Sequence, residues 1–281
     1  MLEFSLLYNL PLWTAGLIFV VILAIGLEFG FRVGLKRREH WKDADSGGGA
    51  VVLTSMFAVM GLVLAFTYAS GVSRFDARKN AVLIEANALG TAFHRADLVA
   101  EPGRTELRMT LLDYSRSRVF PEFINISAED RTVFLKITMA KLAKLWPTTK
   151  QVVQQNNPGP MEASLVAGMN NVIDAHTIRL TAALDKLPQV IMWMLLFISA
   201  ASLSVAGYNA GIQGRMSRWR MSAFALVLTC LMLVILDYDR PNDGFIKVNN
   251  ASINAVIAEM EAELREELAA RELVAETVQL I

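Results

Sequence analysis

The chain has 281 residues, 54% of them hydrophobic and 19% charged, with a mean hydropathy of +0.39. This is too apolar for a water-soluble domain of that length, so much of the apolar surface must face lipid. Lys and Arg number 27 against 27 Asp and Glu, a balance that leaves no global field to recruit nucleic acid.

The front of the chain, MLEFSLLYNLPLW, carries no Lys or Arg, and no small-residue cleavage site follows. A removable signal peptide is therefore not expected. The first of four segments able to cross about 30 Å of hydrocarbon runs from Leu12 to Val33. Near its end Glu28 and Arg32 stand one helical turn apart. They suit either a structural i, i+4 pair or an ion-handling site, because ionisable groups inside a span are costly.

The loop KRREHWKDADSGGG leads to the second span, Ala50 to Gly71. Thr54, Ala58, Gly61, Ala65 and Tyr68 give this span one small, mildly polar edge. Small residues let helices approach closely in lipid, which is the packing reading. In a ring of subunits the same edge would line a pore.

The spacing of four and three residues continues through Val72, Phe75, Lys79, Val82, Ala86, Leu89 and Phe93, with no proline before Pro102. It predicts one helix of about 45 to 50 residues, on the order of 70 Å long. Arg74, Asp76, Arg78, Lys79, Glu85 and Asn87 crowd this strut just beyond the bilayer. Either they form charged rings at a vestibule, with arginines attracting anions, or they hold the bundle together through salt bridges.

Breakers then divide the chain into Glu106 to Val119, Ala128 to Leu145 with Pro147 as a stop, and Met161 to Leu187 after the turn NNPGP. No long alternation of apolar and polar residues occurs, so the insert is expected to be a helical bundle.

The third and fourth spans are Val190 to Ile212 and Met221 to Leu236. Cys230, the single cysteine, lies in the last and excludes an intrachain disulfide. Trp13, Tyr68, Trp193, Tyr208, Trp219 and Tyr238 lie near span ends, where aromatic rings favour the headgroup layer. The short loops KRREHWKDADSGGG and QGRMSRWR are rich in Lys and Arg. The positive-inside rule puts both in the cytoplasm, and both termini with the insert outside, in the periplasm of a bacterial inner membrane.

After the last span, Asp237, Asp239, Arg240, Pro241 and Gly244 mark a turn expected to be pinned against the charged cluster of the strut. A helix from Ser252 to Thr277 follows, with an apolar face of Ile253, Val256, Ile257, Met260, Leu264, Leu268 and Val274. Its acidic opposite face disfavours anionic lipid, so it is expected to dock on the bundle or on a neighbouring subunit.

The expected fold is thus an all-α membrane protein with four transmembrane helices in two hairpins, an inserted helical bundle and a C-terminal amphipathic helix. Its divisions are 1–72, 73–187, 188–237 and 238–281.

The blocks SRFDARKNAVLIEANALGTAFHRADLV (73–99) and DYDRPNDGFIKV (237–248) closely resemble the bacterial bestrophin-like domain membrane proteins. GLVLAFTYASGVSRFDARK also resembles the end of the pore-lining second span of the bestrophins. That resemblance implies a pentameric, anion-permeable channel. The chain lacks the bestrophin neck proline, its paired phenylalanines and the acidic calcium-binding run. Bestrophins also keep the corresponding domain in the cytoplasm, whereas the loop charges here put it outside.

His40, His94 and His176 have no metal-ligating neighbour at i+3 or i+4, so no metal site is expected from them. No GxSxG, Walker A, HExxH or paired-carboxylate arrangement points to an enzyme, and nothing calls for a cofactor. The expected partners are the lipid bilayer, further copies of the chain and small inorganic ions. The leading reading is a homo-oligomeric ion channel or pore. The alternative is a non-conducting scaffold or sensor whose bundle binds a ligand or partner.

Overall fold

The structure is a computed structural model that describes residues 10–38, 47–119, 128–155, 159–240 and 244–279. In chain order the helices are α1 (Leu12–Arg37), α2 (Gly47–Arg95), α3 (Gly103–Arg116), α4 (Ala128–Gln155), α5 (Pro160–Leu184), α6 (Gln189–Gln213), α7 (Arg218–Tyr238) and α8 (Ala251–Gln279), with a 3-10 turn at Ala96–Leu98. Among the described residues there are no strands. Prolines open four of the helices, at Pro11, Pro102, Pro160 and Pro188, where a missing N–H costs nothing. Helix α6 stops at Gly214, whose φ of 70° is left-handed, and the Arg215 N–H donates back to the Ala210 carbonyl at 3.2 Å.

The chain forms two compact units, Met1–Asp76 with Asp185–Lys247, and Ala77–Leu184 with Val248–Ile281. The first holds four helices long and apolar enough to cross a membrane, α2 contributing its first half. Phe19, Leu23 and Leu27 of α1 pack against Leu195 and Leu203 of α6 and against Leu228, Met232 and Leu236 of α7. Trp13, Leu17, Phe29, Phe197 and Trp219 point outward, which accounts for the apolar composition.

Helix α1 approaches α6 backbone to backbone. A Cβ on Gly26 would lie 2.9 Å from the Ala200 carbonyl, and on Gly30 or Gly34 it would strike the carbonyls of Ser204 or Tyr208. Gly207 and Gly211 press in turn on the carbonyls of Leu27 and Phe31. Lipid gives apolar side chains no reason to leave it, so tight dispersion contact of this kind is what joins helices in a bilayer.

The second unit is a bundle. Leu89 and Phe93 of α2, Leu107, Leu111 and Tyr114 of α3, Leu145 and Val152 of α4, Leu165, Met169 and Val172 of α5, and Met260 and Leu264 of α8 share one core.

Several boundaries differ from those expected. Helix α4 does not stop at Pro147 but runs through it to Gln155. Proline costs about 3 kcal/mol inside a helix, yet Leu145 and Val152, two turns apart on either side, bury in the same core. Their packing outweighs the lost hydrogen bond. Helix α3 begins at Gly103 and ends at Arg116, ahead of the expected Glu106 to Val119, and α5 ends at Leu184.

On the half of α2 beyond Gly71 the inward polar positions are Arg78 and Glu85, while Lys79 is exposed. The cause is geometric. A strict heptad drifts about 20° per repeat on a straight α-helix, so about 80° accumulates between Thr54 and Val82. One linear stripe cannot keep a single side over that distance. On α8, Leu268 is 45% exposed, leaving the apolar face shorter than its sequence pattern.

Candidate functional site

Within the first unit, α2 is the least covered span. Only 6% of its apolar window is buried, against 28%, 44% and 39% for the other three. Met60 and Thr67 turn inward, Phe57 meets Phe224 edge-on at 5.3 Å, and Tyr68 meets Tyr238 at 5.9 Å. Thr54, Ala58, Gly61, Ala65 and Tyr68 are all exposed. A Cβ on Gly61 would find nothing within 4 Å. The Thr54 hydroxyl donates to the Ala50 carbonyl at 2.9 Å, so its hydrogen is satisfied within the helix while its oxygen can still accept. Beside this edge, an apolar groove between α2 and α6 is lined by Val52, Met56, Phe197 and Ala201.

Arg32 Nε donates to Glu28 Oε1 at 3.0 Å, and Arg218 at the start of α7 lies 3.9 Å from the same carboxylate oxygen. Beyond the bilayer half of α2, Arg74 bonds Asp185 at 3.2 Å and the Ser70 hydroxyl at 2.7 Å. Asp76 is exposed.

The turn after α7 is fastened by carboxylates on backbone amides. Asp237 accepts the N–H groups of Phe245 and Ile246, each at 2.9 Å. Asp239 accepts the Leu187 N–H through both oxygens at 2.9 Å. Gly244 is required here by space, because a Cβ would run into the Asp237 carboxylate. Arg240 is buried, and Pro241 lies outside the described residues, as does His40.

The second unit encloses a polar cluster centred on Glu85, whose side chain has no solvent exposure. Arg118 grips it with Nε at 2.7 Å and a second nitrogen at 3.1 Å, and Arg179 donates to its other side at 2.7 Å. The Tyr114 hydroxyl adds a bond of 2.7 Å and sits 3.0 Å from His176 Nδ1. Arg179 also reaches Asn250 at 3.1 Å. Three helices, α2, α3 and α5, meet at this one carboxylate, and Arg179 ties the segment leading into α8 to them.

Burial pushes the Glu85 pKa up, but the two guanidiniums outweigh it and hold the group below the usual 4.5. Burial, reinforced by Glu85, raises that of Tyr114 and keeps the phenol protonated. His176 is pushed below 6.5, first by burial and then by Arg118, and so stays neutral. Two arginines against one carboxylate leave a net positive charge inside the bundle.

Of the remaining candidate residues on α2, Arg78 is buried and donates to the Ala182 carbonyl at 3.1 Å, whereas Lys79 and Asn87 are exposed. Sequence reasoning found Glu85 but missed Tyr114, Arg118, His176 and Arg179. A signal was present. Leu165, Met169, Val172, His176 and Arg179 keep one inward spacing of four and three, as do Leu107, Leu111, Tyr114 and Arg118. A polar residue that continues a core stripe is a buried polar residue in need of partners.

Four spans with an inserted helical bundle define a multi-pass, all-α membrane protein. The sequence profile of the bestrophin-like domain family matches residues 17–253, and the chain belongs to that family. The fold is similar to the crystal structure of a bacterial bestrophin homologue from Klebsiella pneumoniae, with a TM-score of 0.61 and 10% identity over 89% of this chain and 97% of that one. A tyrosine-to-alanine variant of the same homologue gives the same score and identity over 87% and 98%. No curated protein matches the chain.

Proposed function

We propose that the protein is a homo-oligomeric ion channel whose pathway is lined by the bilayer half of α2, with a pentameric, anion-permeable assembly as the form that the resemblance to bestrophins implies. The observation that carries this reading is the bare edge of α2. An apolar span in which its own chain buries only 6% of the window must find the rest of its cover in lipid or in other copies. Its residues Thr54, Ala58, Gly61, Ala65 and Tyr68 are too small and too polar to be a good lipid face but suit a water-filled axis. The groove at Val52, Met56, Phe197 and Ala201 offers a neighbouring copy an apolar seat beside that edge.

The basic short loops support an inner-membrane protein with the bundle and both termini in the periplasm. Arg74, Asp76, Arg78, Lys79, Glu85 and Asn87 then follow the pore-lining half of α2 along the same helix, the arginines supplying a field that attracts anions.

Cysteine accessibility tests the lining. Cys230 is itself exposed and is first replaced by serine. In that background Ala58→Cys and Ala65→Cys are expected to react with a water-soluble thiol reagent and to lose flux in liposomes. Protein that passes no ion, with both cysteines unreactive, rejects the proposal.

The second reading is a non-conducting sensor, favoured by the Glu85 cluster, which ties the same α2 helix to three other segments. A stoichiometric partner recovered with monomeric or dimeric protein, and no axial hole in projection images, would select it.

A further inference from the structure

The bundle unit brings together three metal-ligating side chains that lie far apart in sequence. Glu259 and Glu263 are one turn apart on α8 and so share a face, and His94 of α2 stands opposite them. Their ligand atoms all lie within 4.8 Å of one another. His94 Nε2 is 3.9 Å from Glu259 Oε1, and Nδ1 is 3.9 Å from Glu263 Oε1. Both distances are too long for a hydrogen bond. The two distances run to different ring nitrogens, so around one ion the three ligand atoms, one from each residue and all within 4.8 Å, would draw in to the separation of about 3.5 Å that ligands adopt when each lies about 2.1 Å from the ion.

One carboxylate is already fixed from behind. The other oxygen of Glu263 accepts a 2.6 Å bond from Arg108, which is itself 5% exposed. Arg108 is held in turn by Glu267 at 2.7 Å and by the face of Phe93 at 4.1 Å. An outer partner that locks the free oxygen of a ligating carboxylate is the usual support of a metal site. Two like charges at i, i+4 repel when nothing lies between them, which a cation would reverse.

We propose that His94, Glu259 and Glu263 bind a first-row divalent cation of the Zn2+ type. One imidazole nitrogen with two carboxylate oxygens selects such ions over Mg2+ and Ca2+, which prefer all-oxygen shells. His94 and Glu259 are exposed, so water completes the coordination and the site is open to the surrounding medium. Bound metal would join α2 to α8, two helices that also meet through the apolar contacts of Val82 and Ala86 with Ile253. The site is independent of whether the protein conducts ions.

Calorimetric titration of ZnCl2 into the full-length, tag-free protein in detergent is the test. One Zn2+ per chain is expected, with affinity reduced at least about tenfold in His94→Ala and in Glu259→Gln. Both residues are exposed, so the variants are expected to fold. Glu261→Gln, on the side of α8 that faces Arg116, should bind as the parent does. Absence of Zn2+ binding, or equal affinity in the parent and both ligand variants, overturns the proposal. Mg2+ or Ca2+ binding as tightly as Zn2+ also overturns it, since an acidic surface alone would then account for the binding.

Discussion

Arg118 holds Glu85 in a two-point grip of 2.7 and 3.1 Å around a carboxylate that water does not reach. Arg179 closes the opposite side, so the one negative charge answers two positive ones. Removing it strands both. Glu85→Gln keeps the shape and loses the charge, and the bundle is expected to lose about 3–5 kcal/mol. Thermal unfolding in detergent, followed by helical circular dichroism, measures this. An unchanged midpoint would mean the arginines find other partners.

The same cluster makes the bundle acid-sensitive. His176 is neutral when folded and has its pKa depressed below 6.5, so the unfolded chain takes up its proton first. Stability is full above about pH 6.5 and falls as pH drops from there through the depressed folded value. Glu85, also depressed, from 4.5, adds a second loss at lower pH, as the unfolded chain protonates it first and folded protein does so later. His176→Asn should flatten the upper part of the profile only. A midpoint that is constant from pH 7 to well below 6 in the parent protein would refute this account.

Two glycines make opposite predictions although both lie in spans. Gly30→Ala drives a methyl into the Ser204 backbone and is expected to cost about 1–3 kcal/mol or more, seen as poor yield and a lower unfolding midpoint. Gly61→Ala meets open space. It should leave the unfolding midpoint of the dissociated chain unchanged and reduce flux in liposomes. Equal stability losses at both sites would show that α2 packs within its own chain as tightly as α1 does.

Gly244→Ala pushes on the Asp237 carboxylate and breaks its bonds to the Phe245 and Ile246 amides. Those two amides should lose hydrogen-exchange protection, and the turn should become a protease-sensitive point. Retained protection would place the constraint elsewhere in the segment.

Composition and run length made the four spans readable, since the physics of crossing lipid leaves few alternatives. The unbroken α2 was equally legible from the lack of proline between Pro11 and Pro102. What stayed hidden is instructive. GLEFGFRVG spells Gly26, Gly30 and Gly34 at intervals of four, and GYNAG spells Gly207 and Gly211, a pattern that Gly61 does not share. Gly61 stands alone on its face, whereas the others repeat, and repetition is what permits two backbones to run together. Pro147 reads as a stop by its local cost, which the core on either side of it outweighs. His94, Glu259 and Glu263 gave no sign at all, because their ligand spacing exists only after α2 and α8 are side by side.

The glycine edges of α1 and α6 also set a timetable. The ribosome releases α1 before α6, and the α6 backbone that receives Gly26, Gly30 and Gly34 is about 150 residues behind it, on the order of ten seconds of synthesis or more. Throughout that interval the glycine edge of α1 faces lipid or a helper that covers it. A nascent chain stalled before Gln189 is therefore a membrane protein that has inserted but has nothing to close upon.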